Sequence, residues 1–330
     1  MEKELVEKYN STKKNILQPK KRKKLELVKN WQYYLMMVPV IVVFFLFAYL
    51  PFPGILLAFK KYTVTGGILG SPWVGFDNFK AFFSGTDIWR IVRNILLINA
   101  GKIIFGMSCA ILCALLLNEL FSNKSKKVYQ NILFLPTFFS ALLVSKFFNL
   151  LLNNDSGIIN NLLNSIGLTP IKWYDNPWYW IPIITIADIW KGMGNGMIIY
   201  YASIIGIDES LYESAQIDGA TRRQQMFRIT LPMIKPVIIT QFLLTIGGIF
   251  NGDFLFIYSF IGDNYKLKET LDIIETFLFN TVVTAGTGNN AYVDYGTSTA
   301  IGLFQSLMGL IVVFSANFIV KLKDKDLALF

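Results

Sequence analysis

Apolar residues gather in six long stretches of this 330-residue chain, at 35–59, 94–117, 128–152, 178–205, 237–261 and 298–320. A helix needs about 20 mostly apolar residues to cross a bilayer, and each stretch supplies them. The pattern predicts an all-α integral membrane protein with six transmembrane helices. Aromatic clusters flank two of the spans, with Trp31, Tyr33 and Tyr34 before the first and Trp173, Tyr174, Trp178, Tyr179 and Trp180 around the start of the fourth. Such rings favour the membrane–water interface. The expected organisation is a basic segment at 1–34, a six-span domain at 35–325 and a short tail at 326–330. The first apolar run is long, carries Pro39 and lacks a small-residue cleavage site, so it is expected to stay in the mature protein.

Between the fourth and fifth apolar runs lies a polar stretch, 208–236, whose punctuation predicts two short helices joined by a tight turn. Asp208 suits the cap of the first helix, Gly219 suits a left-handed residue at its end, and Thr221 with Gln224 forms a capping box for the second. Pro232 is expected to stop that second helix, and Pro236 to open the next span where a missing N–H costs little. A helix-Gly-helix hairpin at the mouth of a membrane bundle is a compact knob for a soluble partner.

Composition agrees with a membrane location: 53% of residues are hydrophobic and the mean hydropathy is +0.46. The 31 Lys and Arg exceed the 22 Asp and Glu, yet the excess lies beside apolar spans and no nucleic-acid motif accompanies it, so nucleic acid is not expected as a partner. If the N-terminus is cytoplasmic, the segments on that side hold 20 Lys and Arg against 8 on the other. The positive-inside rule then places both termini and the 208–236 hairpin in the cytoplasm, at the plasma membrane. The cluster Lys20-Lys21-Arg22-Lys23-Lys24 reads as a topology anchor for anionic membrane lipid. Cys109 and Cys113 sit four apart on an apolar run, which is neither a disulfide framework nor a zinc pattern, and the chain has no His. No cofactor, metal or catalytic residue is predicted. No G-x-x-x-x-G-K-[ST] loop is present, so ATPase activity is not expected of this chain alone.

Ionisable side chains in a span usually face a bundle interior or a watery cavity. The fourth span carries Asp188, Trp190, Lys191 and Asn195, with Asp188 and Lys191 spaced to pair on one face. Its run Gly192-Met193-Gly194-Asn195-Gly196 allows a close backbone approach or a local break. The fifth span carries Gly247, Gly248, Asn251, Gly252 and Asp253 beside Phe250, Phe254 and Tyr258, a mixture of amide, carboxylate and ring that suits sugar. Interhelical hydrogen bonding is the structural alternative for the same residues. Lys102 and Lys146 also fall inside spans, without an assigned role.

Glu213, Ala215, Asp218, Gly219 and Ala220, followed by Phe227, Ile229, Leu231, Pro232 and Pro236, resemble the EAA loop of ABC-importer permeases, with Ser214 in place of the usual second Ala. Further likenesses are Gly75-Phe76-Asp77-Asn78-Phe79, Gly157-Ile158-Ile159-Asn160 and Asp188-Ile189-Trp190, landmarks of maltose-type sugar permeases, especially the complex-oligosaccharide branch. The resemblance implies a type I importer permease fold and a role as half of the translocation pathway. It implies as partners a second homologous permease, two ABC ATPase subunits, an extracellular solute-binding protein and a saccharide cargo. Carried onto this chain, the ATPase-coupling residues are Glu213, Ala215, Asp218, Gly219, Ala220, Phe227, Leu231 and Pro232. Asp188, Lys191, Asn195, Asn251 and Asp253 become candidates for the substrate pathway. Two other classes were weighed. An ion-gradient-driven secondary transporter would suit broken helices and buried charge but leaves the hairpin unexplained. A membrane transferase would need an acidic or His-containing constellation that the chain does not offer.

Overall fold

The computed structural model describes residues 30–85, 87–262, 264–285 and 294–330, with the side chains of 282–285 excepted. The basic cluster at 20–24 and residues 286–293 lie outside the described residues. The described residues fall into two units that divide between Leu56 and Leu57.

In the first unit, α1 (Trp31–Phe44) runs into a single π-turn, Phe45–Tyr49. No Asp, Glu, Lys or Arg occurs from 31 to 59, and a helix apolar on every face belongs in lipid. Pro39 stands inside α1 without ending it.

In the second unit the regular elements among the described residues are all helices, apart from one isolated bridge between Lys60 and Trp73. Its framework elements are α2 (Asp77–Ser84), α3 (Ile88–Gly101), α4 (Met107–Asn118), α5 (Asn123–Phe134), α6 (Ala141–Leu152), α7 (Ile158–Ser165) and α8 (Trp180–Ile205). After the hairpin helices α9 (Glu209–Ile217) and α10 (Arg222–Gln225) come α11 (Lys235–Ile246), α12 (Phe254–Ile261), α13 (Ile274–Ala285) and α14 (Tyr295–Lys323). A π-turn, Lys102–Gly106, joins α3 to α4, so Ile88–Asn118 is one 31-residue helix able to span a bilayer, as are Trp31–Phe59 and Tyr295–Lys323. Helix α8 has 26 residues, about 39 Å at 1.5 Å per residue.

Two expected spans are not single helices. The stretch 128–152 divides into α5 and α6, bent by 99°. Pro136 opens a short 3-10 turn, Phe139 and Ser140 adopt extended backbone, and the Ser140 hydroxyl caps α6 by accepting from the Leu143 N–H. The stretch 237–261 divides into α11 and α12, because Gly247, Gly248 and Gly252 favour turns and Asp253 caps α12, accepting from the Phe256 N–H at 3.0 Å. In contrast, α8 passes through its Gly-rich run unbroken. Gly194 instead permits a close approach: a Cβ there would lie 2.5 Å from the Leu133 carbonyl oxygen and 2.7 Å from Phe134 Cα.

Two apolar cores hold the unit together. One joins α3, α8, α12 and α14 through Ile91, Ile95, Ile98, Trp180, Ile184, Phe256, Phe260 and Ile301. The other packs Ala110, Ala114 and Leu117 of α4 against Met197, Tyr200 and Ile204 of α8, and against Ile234. Two landmark Asn residues stitch loops. Asn78 Nδ2 donates to the carbonyls of Ala58 and Lys60 at 2.9 and 3.0 Å. The buried Asn160 amide donates to Ile171 O and accepts from the Ile171 N–H and Trp173 Nε1.

Candidate functional site

Two polar constructions stand out from this apolar frame. The first is the hairpin that follows the C-terminal end of α8. Asp208 Oδ1 accepts from the Ser210 N–H at 3.0 Å and opens α9. That hydrogen bond stabilises the ionised form and holds the Asp208 carboxyl below the usual carboxylate range. Helix α9 ends with Gly219 at φ +76°. Closing bonds run from Ala220 N to Ala215 O at 2.8 Å and from Gly219 N to Gln216 O at 3.0 Å, the pairing that a left-handed Gly makes possible. Thr221 and Gln224 form the reciprocal capping box of α10.

The helical segment that α10 begins ends one residue past the expected stop at Pro232. It widens into a π-turn, Met226–Thr230, and continues helical through Leu231–Met233 before bending 55° into α11. The wider turn accommodates a Pro ring that would otherwise press on the carbonyl four residues earlier. Tyr212 Oη and Thr230 Oγ1, 2.9 Å apart, bridge the two arms. Between the arms opens a depression of about 330 Å³ lined by Ala215, Asp218, Gly219, Ala220, Gln224, Gln225, Arg228 and Ile229. Exposed Glu213, Phe227 and Pro232, and above all Ile217 with 87% of its surface open, flank it, while Leu231 is half-buried.

The second construction is a cleft of about 440 Å³ between α3–α4, α8 and α11. Each wall presents one helical stripe: Asn99, Lys102 and Gly106; Asp188, Gly192 and Gly196; Gln241, Thr245 and Gly248. Lys102 Nζ and Asp188 Oδ1 form an ion pair at 3.1 Å, and Lys102 also lies 5.5 Å from the Phe256 ring centre. Asn99 Nδ2 donates to the carbonyls of Ile249 and Asn251 at 2.8 and 3.0 Å, tying the break between α11 and α12 to α3.

Of the five residues picked from sequence for the pathway, Asp188 and Asn251 line this cleft. Lys191, Asn195 and Asp253 do not, and Asp253 serves as the cap of α12. The expected Asp188–Lys191 pair is replaced by Asp188–Lys102, because the π-turn at 102–106 brings Lys102 across to α8. Trp190 stacks on Phe147 with centroids 5.7 Å apart, and Phe254 stacks on Tyr258 at 5.2 Å, so both rings pack against protein. Asn99, Gln241 and Thr245 were missed in the sequence. The signal that could have found them is polar residues repeating at helical spacing along one face of an apolar run.

The chain belongs to the family described as "Binding-protein-dependent transport system inner membrane component", whose model matches residues 102–327. It is a permease subunit of an ABC importer, a multi-pass membrane protein and a transport component rather than an enzyme. Among its relatives, Protein LplB of Bacillus subtilis (strain 168) is 35% identical over 293 residues, covering 89% of each chain. The polygalacturonan/rhamnogalacturonan transport system permease protein YteP of the same organism is 35% identical over 93% of each chain. Among solved structures, a chain of a bacterial ABC transporter involved in the import of the acidic polysaccharide alginate superposes with a TM-score of 0.79 at 33% identity. That match covers 91% of this chain and 98% of the other.

Proposed function

We propose that this permease moves an oligosaccharide, received from a solute-binding protein, along a pathway of which the cleft at Lys102 and Asp188 is one wall. Its expected companions are a second homologous permease and two ABC ATPase subunits. The observation that carries the reading is the placement of both constructions on one helix. Asp188 contributes to the cleft from the middle of α8, and the hairpin follows its C-terminal end within four residues. A push on the hairpin would be transmitted along a rigid rod to the cleft wall.

The lining can serve a polyhydroxyl cargo, since the amides of Asn99, Gln241 and Asn251, the Thr245 hydroxyl and the Lys102–Asp188 pair offer donors and acceptors on an otherwise apolar wall, and the volume falls in the common range of about 300–1,000 Å³ for ligand sites. The polysaccharide substrates named for the relatives support the same class. The hairpin, with the exposed Ile217 and Phe227 on a charged knob, is the surface for the ATPase, and the positive-inside count places it in the cytoplasm together with both termini. Glu213, Ala215, Asp218, Gly219, Ala220, Phe227, Leu231 and Pro232 form this coupling surface. Only ATP and loaded binding protein that prefer the outward-facing state can shift the equilibrium toward it.

The test is uptake of a labelled oligosaccharide by the full complex in proteoliposomes. Uptake should require internal ATP and binding protein and should persist when ionophores collapse ion gradients. Uptake that ignores ATP and disappears with the ionophore would establish secondary transport instead.

A further inference from the structure

At the end of α8 remote from the hairpin, a groove of about 560 Å³ opens between α6, the segment preceding α8 and the end of α12. Its walls bring together Lys146 and Asn149 from α6, Tyr174 from before α8, and Asn264 from beyond α12. Asn149 Nδ2 donates to Tyr174 Oη at 2.9 Å, which leaves the phenol proton free to donate onward. Asn264 Oδ1 accepts from the Lys266 N–H, which leaves its amide protons free to donate. The hydroxyl of Ser259 is already committed to the carbonyl of Phe256 at 2.8 Å.

Charge distinguishes this groove from the cleft. Lys102 is matched by Asp188. Lys146 is exposed and forms no ion pair among the described residues. Asp175, next to Tyr174, is taken by Lys266 Nζ at 2.7 Å. The groove therefore offers one uncompensated ammonium beside amide and phenol donors. A lysine that merely extends to the interface explains its own exposure, but not the arrival of Asn149, Tyr174 and Asn264 from three segments at the same place.

We propose that this groove is a second saccharide site, on the uptake side of the permease, for a sugar ring bearing a carboxylate. Lys146 pairs with the carboxylate, and Asn149, Tyr174 and Asn264 bond the ring hydroxyls. The inference rests on the oligosaccharide reading and adds the charge class of the cargo. A charge-assisted contact is stronger than a neutral one, so loss of Lys146 acts on the acidic sugar far more than on a neutral twin.

The probes are trigalacturonate and the same trimer with its carboxyl groups reduced to CH2OH. In proteoliposomes with the full complex, Lys146→Gln should lower trigalacturonate uptake about tenfold and uptake of the reduced trimer less than about twofold, with Lys146→Arg close to the parent. In the same complex without binding protein, Asn149→Cys labelled by a soluble maleimide should be protected by trigalacturonate and not by the reduced trimer. That protection should vanish when Lys146→Gln is added. Equal loss for both trimers would overturn the proposal, as would absent protection. Labelling that responds to exchange of phosphatidylglycerol for phosphatidylcholine rather than to sugar would make Lys146 a lipid anchor. If the complex imports neutral oligosaccharides while trigalacturonate neither protects nor depends on Lys146, the groove assignment fails alone. If no oligosaccharide of either kind is imported, the cargo reading fails with it.

Discussion

The bonds that shape the turn of the 208–236 hairpin join residues no more than five positions apart: Ser210 to Asp208, Ala220 to Ala215, Gln224 to Thr221 and Gln225 to Ala220. The cleft is held by the opposite means. Asn99 reaches Asn251 across 152 positions, and Lys102 meets Asp188 on another helix. The hairpin can therefore hold its shape while it is pushed, which suits the coupling role proposed for it. The cleft exists only while three helices keep their registers, so a small shift of α8 against α4 changes its width and its charge pairing together. A rigid knob linked to a compliant wall is a reasonable construction for turning ATPase motion into a change of access.

The largest effect should come from disturbing the helix register. At Gly194 an added Cβ meets the backbone of Leu133 and Phe134, which cannot swing aside, whereas at Gly192 nothing lies within 4 Å. Gly194→Ala should cost about 3 kcal/mol and most of the assembled complex, and Gly192→Ala less than about 0.5 kcal/mol, read by thermal melting of the purified complex. If both are tolerated equally, the packing of α8 on α5 is looser than its contacts imply. Next comes the ion pair, whose side chains retain 17% and 32% of their exposure. Lys102→Gln leaves Asp188 unpaired and should cost about 2 kcal/mol, discounted from a fully buried pair for that exposure. Adding Asp188→Asn should recover most of the melting temperature but not the uptake rate. Recovery of both would mean that the pair serves the fold alone.

The same contrast decides what was legible in the sequence. Capping residues act on backbone within one turn of themselves, so Asp208, Gly219, Thr221 and Gln224 announce the hairpin without knowledge of the fold. Lys102 and Asp188 give no such sign. The nearer candidate for Asp188 was Lys191 on the same helix, and only the three-dimensional placement of α3–α4 makes Lys102 the partner. Asp253 shows the same limit from the other side: a carboxylate within an apolar run suggests cargo, and the fold gives it a second task, capping the helix that follows its glycine-rich neighbours. Straight spans were likewise an assumption of hydropathy, which counts apolar residues and is blind to the Ser140 cap and the 99° bend beyond Pro136.

Two smaller perturbations test whether the hairpin is as local as its bonds suggest. At Gly219 the left-handed backbone has no neighbour within 4 Å, so Gly219→Val should pay only a conformational penalty of about 1–2 kcal/mol and leave assembly intact. We expect uptake to fall while ATP hydrolysis by the complex continues without stimulation by loaded binding protein. Normal uptake would separate the turn from coupling.

The smallest effect concerns the Asp208 cap and carries a sign. Its carboxyl is held below the ordinary value by the Ser210 N–H, so the cap favours the folded hairpin fully above the unfolded value and loses that advantage as pH falls through the lowered one. Hydrogen exchange of the first-turn amides of α9 should accelerate, relative to intrinsic rates, as pH falls below about 4. Asp208→Asn keeps an oxygen acceptor but cannot titrate, so its protection should be flat over that range, and Asp208→Ala should be uniformly weak. A variant with Asn that follows the same pH profile as the parent would move the titration elsewhere and show that α9 depends on contacts beyond its own first turn.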